Sequence, residues 1–294
     1  MKYMLYALIG GFVLLIGYLV LLPLMPKNIT DDKPLIMGVF PRQHPAITME
    51  NFTAMRKYLH GKLGRRVHLE TTDEFKDFWE NVKKGRYDIV HFNQYHYLMT
   101  TKTKSYEVFA MNEEGGKAKL GGAIVVRKDS DIKNIMDLKG RKVLFGGGPK
   151  AMLSYVHATY LLRQGGLKEG DYEVMFAKNP ASAIVSAYFG LWGVAAAGAG
   201  DAALKLPFVS QQIDVNQLQI LVAGEENAHL PWALKAGLDP MLKDKIKAAL
   251  FALKNTPEGK KILKKASLTA LLPAQDTDFD PHRKIVKAVT GEEY

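Results

Sequence analysis

The sequence predicts an α/β fold in two lobes. Three observations predict it: short apolar strand-like runs alternate with helix-period segments through the first hundred residues, the same alternation resumes after residue 140, and a long uncharged stretch at the N-terminus stands apart from both. A chain of 294 residues is long enough for two lobes of ordinary size.

The elements follow in order. Residues 26–34 form a short polar linker bounded by Pro26 and Pro34. "LIMGVF" (35–40) reads as a buried strand and "PRQHPA" as a loop. In 48–64, Met49, Phe52, Met55, Leu59 and Leu63 recur at helical spacing, with Thr48 as the expected N-cap and Gly64 as the stop. "RVHLETT" is a strand, "DEFKDFWENVKKG" (73–85) a helix ending on glycine, "YDIVHF" a strand, and "NQYHYLMTT" opens another helix. "GGAIVVRKDS" (121–130) is a lone strand between the two blocks. Then come strand "KVLFG", helix "MLSYVHATYLLRQGG", strand "YEVMFA" and helix "PASAIVSAYFG", and residues 239–266 form a pair of amphipathic helices. The alternation argues for parallel strands with helices on both faces.

Residues 3–25 carry no charge over 23 positions. As a helix they reach about 34 Å, enough to span a bilayer. Lys2 and the initiator amine precede them, which favours the N-terminus inside and the body outside. A cleaved signal peptide is the alternative, but the apolar run is long for one and no A-x-A site follows. Either way the body is expected on the extracytoplasmic side of a bacterial-type membrane, with the anchor reading giving a single-pass protein.

Cysteine is absent, which excludes disulfides, thiolate metal sites and cysteine nucleophiles. The net charge is +10. No basic run with interleaved aromatics accompanies it, so no nucleic-acid partner is expected. Neither H-E-x-x-H nor G-x-S-x-G occurs, and "GGGPKAML" lacks the G-K-[ST] of a P-loop. No catalytic set, cofactor motif or enzyme activity is expected. His91, His96, His157 and His229 fall near strand ends, yet no two share i,i+2 or i,i+4 spacing, so no metal site is expected either.

One stretch does suggest a ligand. "FGGGPKAMLSYV" (145–156) is a glycine-rich turn running into a helix, a form that offers backbone N–H groups to anions. Taken with "GVFP", with "FTAMRKYLHGKLGRRVHLETTDEFKDFWENVKKGRYDIVHF", with "AIVVRKDSDIKNIMDLKGRKVLFGGG", and with "LPWALKAGLDPMLKDKIKAALFAL" and "TPEGKKIL", it makes the chain over 35–290 resemble the phosphate/phosphonate/phosphite-binding proteins of ABC importers.

That resemblance implies a type II periplasmic binding fold, here preceded by one transmembrane helix. Lobe 1 would hold 35–122 and 222–294, lobe 2 would hold 123–221, and two crossing strands would let the lobes close on a ligand. In the family an anion sits on a helix start after D-P-x-S-T-S-G-[FY]. Pro149 matches the proline and Tyr155 the aromatic, while Ala151, Met152 and Leu153 stand where hydroxyls are expected and Ser154 replaces the glycine. Asn179 and Pro180 replace a histidine–acid pair, and Asp201 is the one charge in the small, apolar segment 190–204. The resemblance implies ligand contacts from Phe40, Phe92, Asn93, Tyr95, Lys150, Ser154, Tyr155, Asn179 and Asp201. It implies an extracytoplasmic solute-binding protein that clamps a small anionic molecule for an ABC permease. The lost hydroxyls favour a less charged, larger or more aromatic solute. The alternative is a degenerate binding protein, held in the membrane through residues 3–25, that serves as a sensor or structural partner.

Overall fold

The computed structural model describes residues 33–205 and 207–294, so the expected membrane helix at 3–25 lies outside the described residues. Among the described residues no helix is long and apolar enough to cross a membrane.

The first half alternates as its periodicity requires. It runs through β1 (Leu35–Val39), α1 (Pro45–Leu63), β2 (Val67–Glu70), α2 (Phe75–Lys83), β3 (Ile89–His91), α3 (Gln94–Thr101) and β4 (Tyr106–Glu113). Helix α1 starts three residues before the predicted Thr48. His44 caps it, Nδ1 accepting from the Ala46 N–H at 3.3 Å, and Pro45 takes the first position, where its missing N–H costs nothing. Thr48 is buried inside the helix, and Gly64 ends it in the left-handed conformation at φ 61°.

β5 (Lys119–Leu120) leads into β6 (Gly122–Arg127) and β7 (Lys142–Gly146). A π-helical turn (Met152–His157) then runs straight into α4 (Ala158–Gln164). β8 (Glu173–Ala177), α5 (Pro180–Phe189), β9 (Val194–Gly200), α6 (Pro207–Ser210) and β10 (Leu218–Ala223) follow. The chain returns through β11 (Asn227–Ala228) and β12 (Pro231–Lys235) to α7 (Pro240–Ala252), α8 (Pro257–Lys265), β13 (Ala270–Pro273) and α9 (Asp280–Thr290).

These strands make two principal sheets, ordered β13-β4-β12-β3-β1-β2 and β10-β6-β9-β7-β8. Parallel pairing holds where sequence alternation predicts it, in β1 with β2 and β3, and in β7 with β8 and β9. Both sheets are mixed, however, because β4, β12 and β13 pair antiparallel, as do β6 with β9 and with β10. The chain passes from the first sheet to the second at Gly121–Gly122 and comes back at Ala223–Gly224. The two passages run side by side, Gly224 N–H donating to Gly122 O at 2.9 Å, and a Cβ on Gly121 would meet Gly224 O at 2.4 Å.

Burial puts apolar clusters on both faces of each sheet. Met37, Met55, Trp232 and Leu250 fill one face of the first sheet. Phe78, Tyr87, Phe92 and Phe279 fill the other, and Met152 and Val156, which follow β7 of the second sheet, are buried among them. The turn from 152 to 157 is therefore packed against both halves. Ala151 O accepts from Tyr155 N–H at 3.0 Å and from Val156 N–H at 3.1 Å, the latter being the five-residue spacing of a π turn.

Its seat is made of glycine. A Cβ on Gly198 of β9 would lie 2.1 Å from Ser154 O, and one on Gly122 of β6 would lie 2.9 Å from Leu153 O. Gly198→Ala is expected to lower unfolding free energy by about 2–3 kcal/mol, because the obstructing atom is backbone. Gly61→Ala, in the open interior of α1, is expected to raise it by about 0.5–1 kcal/mol. Urea denaturation of both variants reads the two signs, and equal effects would refute the glycine seat.

Candidate functional site

Strand ends from both sheets converge on a cavity of about 480 Å³, within the range of small-molecule sites. The first sheet contributes Phe40 after β1, Asn93 and Gln94 after β3, Glu114 after β4, and His229 and Leu230 before β12. The second contributes Gly146 at the end of β7, Ala151–Ser154, and Gly200 at the end of β9. This is the crevice beyond the strand ends where open α/β sheets bind ligands.

The walls are mostly apolar. Phe40 and Phe75 pack together, their planes tilted by 57° and ring centroids 5.8 Å apart, and Ala151, Met152, Leu153 and Ile184 continue the surface. The Ser154 hydroxyl is turned away to the backbone, donating to Gly146 O at 2.6 Å. Lys117, Lys205 and Lys264 also line the cavity, and Lys117 is paired with Glu226.

The principal polar feature is an ion pair. Arg42, in the loop after β1, gives both terminal nitrogens to Glu114, at 2.5 and 2.8 Å. Asn112 adds a third hydrogen bond at 3.0 Å and is itself held by the Trp232 indole N–H at 2.8 Å. Burial alone would raise the Glu114 carboxyl. The Arg42 charge and hydrogen bonds, with help from His229 and Asn112, overcome it and hold the group down at about 2. His229 is fully buried, and burial pushes its imidazole down to about 4 against the pull of Glu114. It is therefore neutral at pH 7. Among the described residues no group of three His, Cys, Asp or Glu side chains could hold a metal ion.

The nine residues singled out from the sequence separate. Phe40, Asn93 and Ser154 line the cavity. Asn93 also caps α3, Oδ1 accepting from Tyr95 N–H at 2.9 Å. Asp201 sits between lining residues Gly200 and Ala202, its N–H bound to Gly121 O and its carboxyl pushed up by burial. The others point elsewhere. Phe92 is packed edge-on against Tyr106, and Tyr95 donates to Glu292 at 2.6 Å. Lys150 Nζ lies 5.8 Å above the Tyr95 ring. Tyr155 packs on Phe145 and Phe176, and Asn179 caps α5 by accepting from Ser182 N–H at 2.9 Å. Sequence reasoning missed Arg42 and Glu114, whose 72-residue separation leaves no local pattern.

Two mixed sheets, two adjacent chain crossings and a cavity walled from both sides define a two-lobed periplasmic binding protein fold. Solved structures share it. A binding protein component of an ABC phosphonate transporter from Pseudomonas aeruginosa is 14% identical, with a TM-score of 0.76 over 87% of this chain and 86% of the other. PhnD1 from Prochlorococcus marinus, solved with methylphosphonate, is 16% identical, with a TM-score of 0.77 over 89% of this chain and 100% of the other. A Xanthomonas citri protein bound to ATP is 14% identical, with a TM-score of 0.73 over 87% and 97%. Residues 37–279 match the family described as ABC transporter, phosphonate, periplasmic substrate-binding protein, and the chain belongs to that family. Its role is solute binding for an ABC importer.

The ion pair sets a stability test. Arg42→Met leaves Glu114 buried without its cation and is expected to cost about 3 kcal/mol, whereas adding Glu114→Leu is expected to restore most of the loss. A double-mutant cycle in urea reads this coupling, and additive costs would contradict it.

Proposed function

We propose that this chain captures an organic anion with a substantial apolar body, of substituted-phosphonate type, and presents it to an ABC permease without chemical change. The observation that carries the reading is the triplet Ala151-Met152-Leu153 on the cavity wall, where the family resemblance implies hydroxyls. Backbone amides at the start of the 152–164 helical run remain as anion donors, since a first turn has no intrahelical partners for them. With Arg42 paired with Glu114 and Lys117 with Glu226, Lys205 and Lys264 add positive charge to the lining, which favours a negative ligand. Phe40 and Phe75 supply an aromatic surface for the body to pack against, and Asn93 lines the same cavity.

Lobes of 35–122 with 222–294 and of 123–221 would close about the glycine crossings. The uncharged stretch 3–25 supports a single-pass anchor that keeps the body on the extracytoplasmic side.

Calorimetry with phosphate, methylphosphonate and benzylphosphonate tests this reading. Burying about 120 Å² of added ring is worth about 3 kcal/mol, or about a hundredfold in affinity. Benzylphosphonate is expected to bind about a hundredfold tighter than methylphosphonate, with phosphate weakest. Tight phosphate or methylphosphonate binding with no gain from the ring would refute it.

A further inference from the structure

The first-sheet wall of the cavity holds two buried polar atoms with no hydrogen-bond partner in the protein, His229 Nε2 and Gln94 Oε1. Their chemistry is fixed by what the rest of each side chain does. His229 Nδ1 accepts from the Leu230 N–H at 2.7 Å, so in the neutral ring the proton is on Nε2 and that atom is a donor. The nearest carboxylate oxygen, Glu114 Oε1, is 3.6 Å away, beyond hydrogen-bond reach, and it already accepts from Arg42 and Asn112. Gln94 Nε2 donates to Ala228 O at 3.4 Å, which assigns the amide orientation and leaves Oε1 as an acceptor without a donor. Both side chains are anchored on the same short segment, Ala228–Leu230, and both residues are at most 1% exposed.

A buried donor and a buried acceptor left unmatched on one wall of a ligand-sized cavity call for a group that answers both. Next to His229 charge is already cancelled by the Arg42–Glu114 pair, so an ionised group there would lose its hydration without gaining a counter-charge. We propose that His229 and Gln94 are specificity residues that read an uncharged hydroxyl or similar donor–acceptor group on the body of the solute, Gln94 Oε1 accepting its proton and His229 Nε2–H donating to its oxygen. The inference rests on the reading of the cavity as a site for a phosphonate with an apolar body and adds what that body carries. A hydroxyl-bearing ligand is thereby favoured over its methyl isostere, because the methyl leaves both protein atoms unmatched.

The test compares 4-hydroxybenzylphosphonate with 4-methylbenzylphosphonate, and the corresponding phenethyl pair, by calorimetry on the full chain. At least one hydroxyl compound is expected to bind tenfold or more tighter than its methyl partner. Gln94→Met keeps side-chain length and removes the acceptor, and His229→Asn keeps an acceptor for the Leu230 N–H and removes the Nε2 donor. Each is expected to bring the ratio within threefold of one, with thermal melts reporting whether the fold is intact. If one variant is unfolded, the other still reads the ratio. Equal native binding of the hydroxyl and methyl compounds, or a ratio unchanged in the folded variants, overturns this inference alone. No binding of any of the four overturns the reading it rests on as well.

Discussion

The backbone of residues 152–157 rests directly on glycines of the second sheet, and the site depends on that contact. A Cβ on Gly198 would lie 2.1 Å from Ser154 O, so the turn lies closer to β9 than any side chain at that position would allow. The five-residue hydrogen bond to Ala151 O widens the turn. From one seat, Met152 and Val156 then reach the first-lobe core, Leu153 lines the cavity, and the His157 ring meets the crossing, where Nδ1 accepts from the Gly122 N–H at 2.9 Å. Moving the turn outward would undo all three contacts together.

The cavity divides its labour between its two walls. The second-lobe wall presents the apolar side chains of Ala151, Met152 and Leu153, and the Ser154 hydroxyl donates to Gly146 O. The first-lobe wall keeps polar groups but pairs Arg42 with Glu114 and Lys117 with Glu226. Such a surface gains little from a small, fully solvated oxyanion, whose hydration it cannot replace. It gains more from a ligand that brings its own apolar area, since that gain scales with surface removed from water.

Much of this architecture was legible in the sequence, because helix periodicity and glycine stops survive the loss of tertiary context. The helix at 180–190 read correctly for that reason, and the strands at 35–40 and 142–146 because each is a short apolar run. β9 did not, since Val194–Gly200 is alanine and glycine with a single β-branched residue. Its smallness is a property of what lies on it, and the glycine seat could be read only once the turn was in place. The site was less legible than the fold. The resemblance over 35–290 led to the right family, yet carrying family positions across brought Asn179, which caps α5, and Tyr95, whose hydroxyl is bound to Glu292. Asparagine before Pro180 with serine at 182 is itself a capping signature that sequence alone contains. No comparable signal joins Arg42 to Glu114, or the Gln94 amide to Ala228 O, because each pairing is created by strand order.

The most direct measurement is a crystal structure of the chain grown with benzylphosphonate. The account predicts the phosphonate oxygens against the backbone amides of Met152–Ser154 and the ring packed against Phe40 and Phe75. A ligand bound outside this crevice, or one whose ring faces solvent while the apolar walls close on each other, would contradict it.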